Sequence, residues 1–134
     1  DPSEFLEYIN NLPECYNVEF RVYTVNPQFV SPFIKENSSR IILKDLLPRE
    51  ILLFEMSKMN FVVNFENVGT TQTPSKLIDY IIIEKPVLSI KYGDLKKNVI
   101  NEFLKGIYTH KMELPDKEIY RIQNVANQFL ELIP

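Results

Sequence analysis

Ser75, Lys76 and Asp79 stand at i, i+1 and i+4 in the segment Thr73-Pro74-Ser75-Lys76-Leu77-Ile78-Asp79. In a helix that spacing puts all three on one side of the first two turns. Thr73 suits the N-cap, and Pro74 suits the first helical position, where its missing N–H costs nothing. The free amides of the first turn, the helix dipole and the Lys76 ammonium together favour an anion, most simply a phosphate. Asp79 lies about one turn, roughly 5–6 Å, deeper and is too far inside to cap those amides. Its carboxylate suits two neighbouring hydroxyls, such as a ribose diol, and a phosphate beside a diol describes a nucleotide. The same residues also suit a capped amphipathic helix whose lysine and aspartate face water.

The flanking segments supply the frame. Phe61–Phe65 is a short apolar run of strand character, and Glu66–Thr73, which contains Gly69, is a polar loop. After the helix, Pro86–Ile90 reads as a second buried strand. In a strand–loop–helix–strand unit the helix N-terminus lies at the carboxyl edge of the sheet, where α/β proteins bind ligands.

Pro74-Ser75-Lys76-Leu77-Ile78-Asp79-Tyr80, followed by Lys85-Pro86-Val87-Leu88, resembles a known signature. It is similar to the Pro-Ser/Thr-Lys-x-x-Glu-Tyr-x-x-x-Gly-Lys-Pro-Val-Ile/Leu pattern in the donor-binding half of GT-B glycosyltransferases of the family-4-like group. The resemblance is close over Pro74–Ile90, and the flanking strand order fits from about Asp1 to Pro134. It implies that the Ser/Thr-Lys helix start lies against the diphosphate of a sugar nucleotide, and that the acid before Tyr binds the ribose. Carried over, these roles fall on Ser75, Lys76 and Asp79, with Thr73, Gly69 and Glu66 in the adjoining loop. Two positions depart from the pattern. Asp79 replaces Glu, shortening the reach by one methylene, and Glu84 stands where Gly ends the helix. A left-handed Glu84 would carry strain of about 1 kcal/mol. The first carboxylate of the family's Glu-x7-Glu pair falls at Thr71, so it is absent.

In chain order, Ser3–Leu12 is expected as a helix capped by Ser3 and ended by Pro13. Val18–Val25 alternates as a strand, Pro27–Lys35 reads as a short helix, and Arg40–Leu43 as a brief strand. Pro48–Met59 opens a further helix with proline at its start. Beyond Ile90, Leu95–Lys105 is expected to be helical and Ile107–Thr109 a strand. Pro115–Leu132 follows as a closing helix with a stripe of Ile119, Ile122, Val125, Ala126 and Phe129. Alternation of strands and helices predicts one α/β domain over residues 1–134, a Rossmann-like three-layer sandwich on a mostly parallel sheet. The resembled family has a further strand before the helix at Ser3, with an Arg and a Lys for the diphosphate in its following loop. The chain is therefore expected to be a fragment lacking that first strand, with exposed strand edges that favour homo-oligomers.

Composition limits the alternatives. The 134 residues, 45% apolar, suffice for a real core. A net charge of −3 gives no general affinity for nucleic acid. No apolar run approaches the ~20 residues that span a bilayer. The single Cys15 permits no intrachain disulfide and points to a reducing, cytoplasmic setting, peripheral to the inner membrane face at most. The Asn37-Ser38-Ser39 sequon is read as chance. His110 is the only histidine, so a metal site is not expected, and it suits a surface or structural role. Three glycines cannot compose a dinucleotide fingerprint, and there is no phosphate loop of the Walker type.

The resemblance implies a transferase half that holds the nucleotide-diphosphate leaving group without metal or other cofactor. The acceptor site and catalytic base would lie on a separate N-terminal domain. No catalytic residue is therefore assigned to this chain, which is expected to bind rather than turn over. The alternatives are a non-catalytic nucleotide-binding domain and a receiver-like signalling module. The receiver reading wants acidic residues after the first and third strands, where Asn26 and Glu66 stand.

Overall fold

The structure, a computed structural model, describes residues 2–66 and 74–115. Gly69, Thr73 and the expected closing helix lie outside the described residues, as do the side chains of Pro74 and Ser75. The described chain is mixed α/β. Helix α1 spans Ser3–Asn10, strand β1 Phe20–Tyr23, strand β2 Ile41–Lys44 and helix α2 Arg49–Ser57. Strand β3 (Val62–Glu66), helix α3 (Pro74–Ile83), strand β4 (Val87–Lys91) and helix α4 (Lys97–Leu104) follow.

Helix α1 forms because Phe5, Leu6 and Ile9 recur at helical spacing and are all buried. Its N-cap is Pro2, with Ser3 already the first helical residue, so the expected Ser3 cap is not the one used. Its far end is closed from a distance. Arg40 donates from Nη1 to the carbonyls of Ile9 (3.0 Å) and Leu12 (2.7 Å), and from Nη2 to those of Pro13 (2.6 Å) and Tyr16 (3.1 Å). A cation among carbonyls at a helix C-terminus satisfies orphan acceptors and opposes the dipole.

Strands β1 and β2 pair in parallel with Phe20 opposite Ile41, and β3 pairs in parallel with β4 with Val62 opposite Val87. The expected parallel pairing of the two central strands is therefore present. Among the described residues the single sheet is not. The four strands fall into two separate pairs, β1–β2 and β3–β4.

Alternate strand residues bury in different clusters. Ile41, Leu88 and Ile90 join Phe5, Leu6, Ile9, Ile100 and Phe103, with Phe20, Val22, Val63 and Phe65 packed against them. Val62 and Val87 join Tyr80 and Ile83 of α3, against Leu53 and Met56 of α2. Helices thus cover both faces of the β3–β4 pair, with α1 and α4 in the first cluster and α2 and α3 in the second, whereas β1 and β2 contribute to the first cluster.

Three expected elements change. Pro27–Lys35 is two single turns of 3-10 helix, Pro27–Phe29 and Ser31–Phe33, because Pro32 has no N–H to continue an α-helical ladder. Ile107–Thr109 is not a strand. Gly106 adopts φ 79°, the Ile107 amide bonds back to the Glu102 carbonyl at 2.8 Å, and Tyr108 packs edge-on to Phe103. The chain then meets β4 through Met112, whose amide donates to the Val87 carbonyl at 2.8 Å. The first strand is also shorter than Val18–Val25, keeping only its central four residues.

Candidate functional site

Helix α3 begins at Pro74, as the proline and the apolar residues behind it require, and leads from β3 to β4. Lys76 is exposed on its first turn. It borders a cavity of about 490 Å³ together with Tyr23, Thr24 and Asn26 at the carboxyl end of β1. The lysine expected to meet an anion and the loop after Thr24 therefore share one cleft.

The other expected residues are placed differently. Asp79 Oδ1 accepts from Arg49 at the start of α2, at 3.1 Å from Nε and 2.5 Å from Nη2. The side chains are 26% and 58% exposed, so this ion pair contributes about 0–1 kcal/mol to stability. It is weak enough for a ligand to share or displace. Glu66 ends β3 on a second cavity of about 700 Å³, whose lining includes Lys91, Lys96, His110 and Lys111. The structure thus brings Lys76 to the β1 loop, gives Asp79 an arginine partner, and sets Glu66 on a different cavity. Lys44 and Asp45, which follow Leu43, border neither of these two cavities.

Glu66 is held by a polar chain, buried at Asn64 and Tyr80 and exposed at Glu66, that reading for motifs passed over. Asn64 on β3 is 1% exposed. Its Oδ1 accepts from the Tyr80 hydroxyl at 3.0 Å, and its Nδ2 donates to Ser89 Oγ at 3.2 Å. The Ser89 hydroxyl donates in turn to Glu66 Oε1 at 2.8 Å. Asn64 and Ser89 are register partners in β3 and β4, so parallel pairing itself aligns them on one face. The signal was present as a lone polar residue inside each apolar run, Phe-Val-Val-Asn-Phe and Val-Leu-Ser-Ile. Burial raises the Tyr80 pKa, and the Asp79 carboxylate adds to the shift.

His110 pairs with Glu102 at 2.8 Å across an exposed surface, in keeping with the structural role expected for it. Among the described residues no group of His, Cys, Asp and Glu has the arrangement to hold a metal ion. None of the described helices is long and apolar enough to cross a membrane. No family model, curated protein or solved structure matches this chain.

Proposed function

We propose that this chain is the donor-binding half of a glycosyltransferase of the GT-B type, holding a nucleotide-diphosphate sugar whose glycosyl group passes to an acceptor on another domain. The observation that carries the reading is the position of Lys76. It stands on the first turn of a helix between two parallel strands, in a cleft shared with the carboxyl end of β1. The helical coverage of both faces of the β3–β4 pair is compatible with the Rossmann-like three-layer domain such a half requires.

In this reading Lys76 and the first-turn amides of α3 meet the diphosphate. Negative charge grows on that leaving group as the glycosidic bond breaks, and donors fixed beforehand stabilise the grown charge more than the ground state. Asp79 accepts from the ribose diol. Arg49, already on Asp79 Oδ1, holds that carboxylate toward α2. No residue of the chain is assigned as acid, base or nucleophile.

Calorimetric titration with a ribonucleotide diphosphate and its 2′-deoxy analogue tests the assignment. Asp79→Asn is expected to weaken the ribonucleotide by on the order of 1–3 kcal/mol more than the deoxy form, as for a hydrogen bond to a charged group. Lys76→Ala is expected to weaken both alike, and more for each added phosphate. Equal losses for the two nucleotides at Asp79, or no binding of either to the wild-type chain, would remove the reading.

A further inference from the structure

Arg49 opens α2 at a place where a helix does not favour a cation. It is the first residue of Arg49–Ser57, with Pro48 as N-cap. The N-terminus carries the positive end of the helix dipole, so an arginine there opposes it, whereas the neighbouring Glu50 complements it. The ion pair that Arg49 makes with Asp79 adds little stability, because the two side chains are 58% and 26% exposed. The arginine is thus not placed for the stability of α2.

The form of its contact is specific. Nε at 3.1 Å and Nη2 at 2.5 Å both donate to Oδ1 of Asp79. An ionised carboxylate has about four acceptor sites, shared equally by its oxygens. The two guanidinium nitrogens therefore fill the sites of Oδ1 and use neither site of Oδ2. A planar fork of two donors fixes the carboxylate in a way that a single ammonium does not. The pair also stands close to the cleft. Asp79 is one turn beyond Lys76 on α3 and precedes Tyr80, and Arg49 is one turn before Leu52 on α2. Lys76, Tyr80 and Leu52 all border the cavity of about 490 Å³. Arginine and aspartate meet beside that lining, where α2 packs on α3.

Within the nucleotide reading, on which this role rests, we infer that Arg49 is a positioning residue for ribose recognition. It takes Oδ1 of Asp79 and leaves Oδ2 to accept both hydroxyls of the diol. The two O–H donors of a diol match the two sites of that oxygen. A carboxylate released from Arg49 turns about its Cβ–Cγ bond, so the diol would have to order its acceptor on binding. Arg49 thereby sets the preference for ribose over deoxyribose, while Lys76 sets the response to phosphate.

Calorimetric titration of the 134-residue chain with a ribonucleoside diphosphate and its 2′-deoxy analogue tests this role. The variants are Arg49→Lys, Arg49→Met, Asp79→Asn and the double variant Arg49→Lys with Asp79→Asn. Because the pair is exposed, each single Arg49 variant is expected to keep its Tm within about 5 °C of wild type. Both are expected to lower the ribo-to-deoxy affinity ratio by about threefold or more, the size of one weakened hydrogen bond. Arg49→Lys is expected to bind the deoxy form within about twofold of wild type, since the charge is kept. In the double variant the ratio is expected to match that of Asp79→Asn alone, because Arg49 acts through the carboxylate. A ratio that is unchanged or raised in either Arg49 variant would overturn the inference, as would a further fall in the double variant. Equal weakening of both nucleotides by Arg49→Lys would overturn it in favour of a direct phosphate contact. A wild-type chain that binds neither nucleotide, or an Asp79→Asn variant with the wild-type ratio, removes the nucleotide reading itself and the role of Arg49 with it.

Discussion

Replacing Asn64 with valine removes the centre of the polar chain while keeping a β-favouring side chain in β3. Two hydrogen bonds are lost, to Tyr80 at 3.0 Å and to Ser89 at 3.2 Å. Their consequences differ. The Ser89 hydroxyl keeps its bond to Glu66, whereas the buried Tyr80 hydroxyl loses the acceptor it uses here. A lost bond costs about 0.5–1.5 kcal/mol and a buried donor without an acceptor about 1–3 kcal/mol, so the expected destabilisation is about 2–4 kcal/mol. For a domain of this size that lowers Tm by about 8–15 °C. Urea unfolding of Asn64→Val, Tyr80→Phe and the double variant measures it. The double variant removes donor and acceptor together and is expected to be at least 1 kcal/mol more stable than the sum of the singles implies. Additive single effects, or a loss below about 0.5 kcal/mol for Asn64→Val, would refute the chain as a coupled unit.

Arg40→Met keeps the aliphatic stem but removes a side-chain donor from four carbonyls, of which those of Ile9 and Pro13 keep backbone amide donors, and is expected to cost about 2–3 kcal/mol in urea unfolding, with faster exchange at the end of α1. Tyr80 sets an alkaline limit. Its folded pKa is raised by burial and by Asp79, so the folded chain holds that proton more tightly than the unfolded one. The associated stability is complete below the ordinary tyrosine value of about 10 and declines as pH rises through the raised value. Denaturant midpoints measured from pH 8 to 11 are expected to fall less steeply for Tyr80→Phe than for the wild type. Glu84 is the only described non-glycine residue with positive φ, at 55°. Glu84→Gly is expected to raise stability by about 0.5–1 kcal/mol in the same assay, the relieved strain exceeding the added chain entropy.

Much of the local architecture was legible because the signals that set it act within a few residues. Proline before an apolar-periodic run marked the starts of α2 and α3, and the short apolar runs marked β3 and β4. Element ends were less legible. Val18–Val25 keeps pairing only from Phe20 to Tyr23, because strand length depends on where the partner β2 begins and ends. Ile107–Thr109 has strand-like composition, yet Gly106 turns the chain back onto α4 and Tyr108 finds an aromatic pocket there. Pairing between distant strands has no local signature, so the division into two pairs could not be read from the residues themselves, and exposed strand edges were expected only from the resemblance.

The site divides along the same line. The exposure of Lys76 follows from its place on the first turn, which Pro74 announces. The partner of Asp79 does not, since Arg49 lies on another helix and reaches it only through the packing of α2 on α3. Glu84 shows where the two kinds of information meet. A helix that must hand over to β4 within three residues needs a left-handed residue at its end, with Pro86 barring any continuation. The sequence places a glutamate there, and the backbone adopts the left-handed conformation regardless. The geometry of the helix stop is therefore imposed by the short connection between α3 and β4, and the residue type at that position sets how much strain it carries.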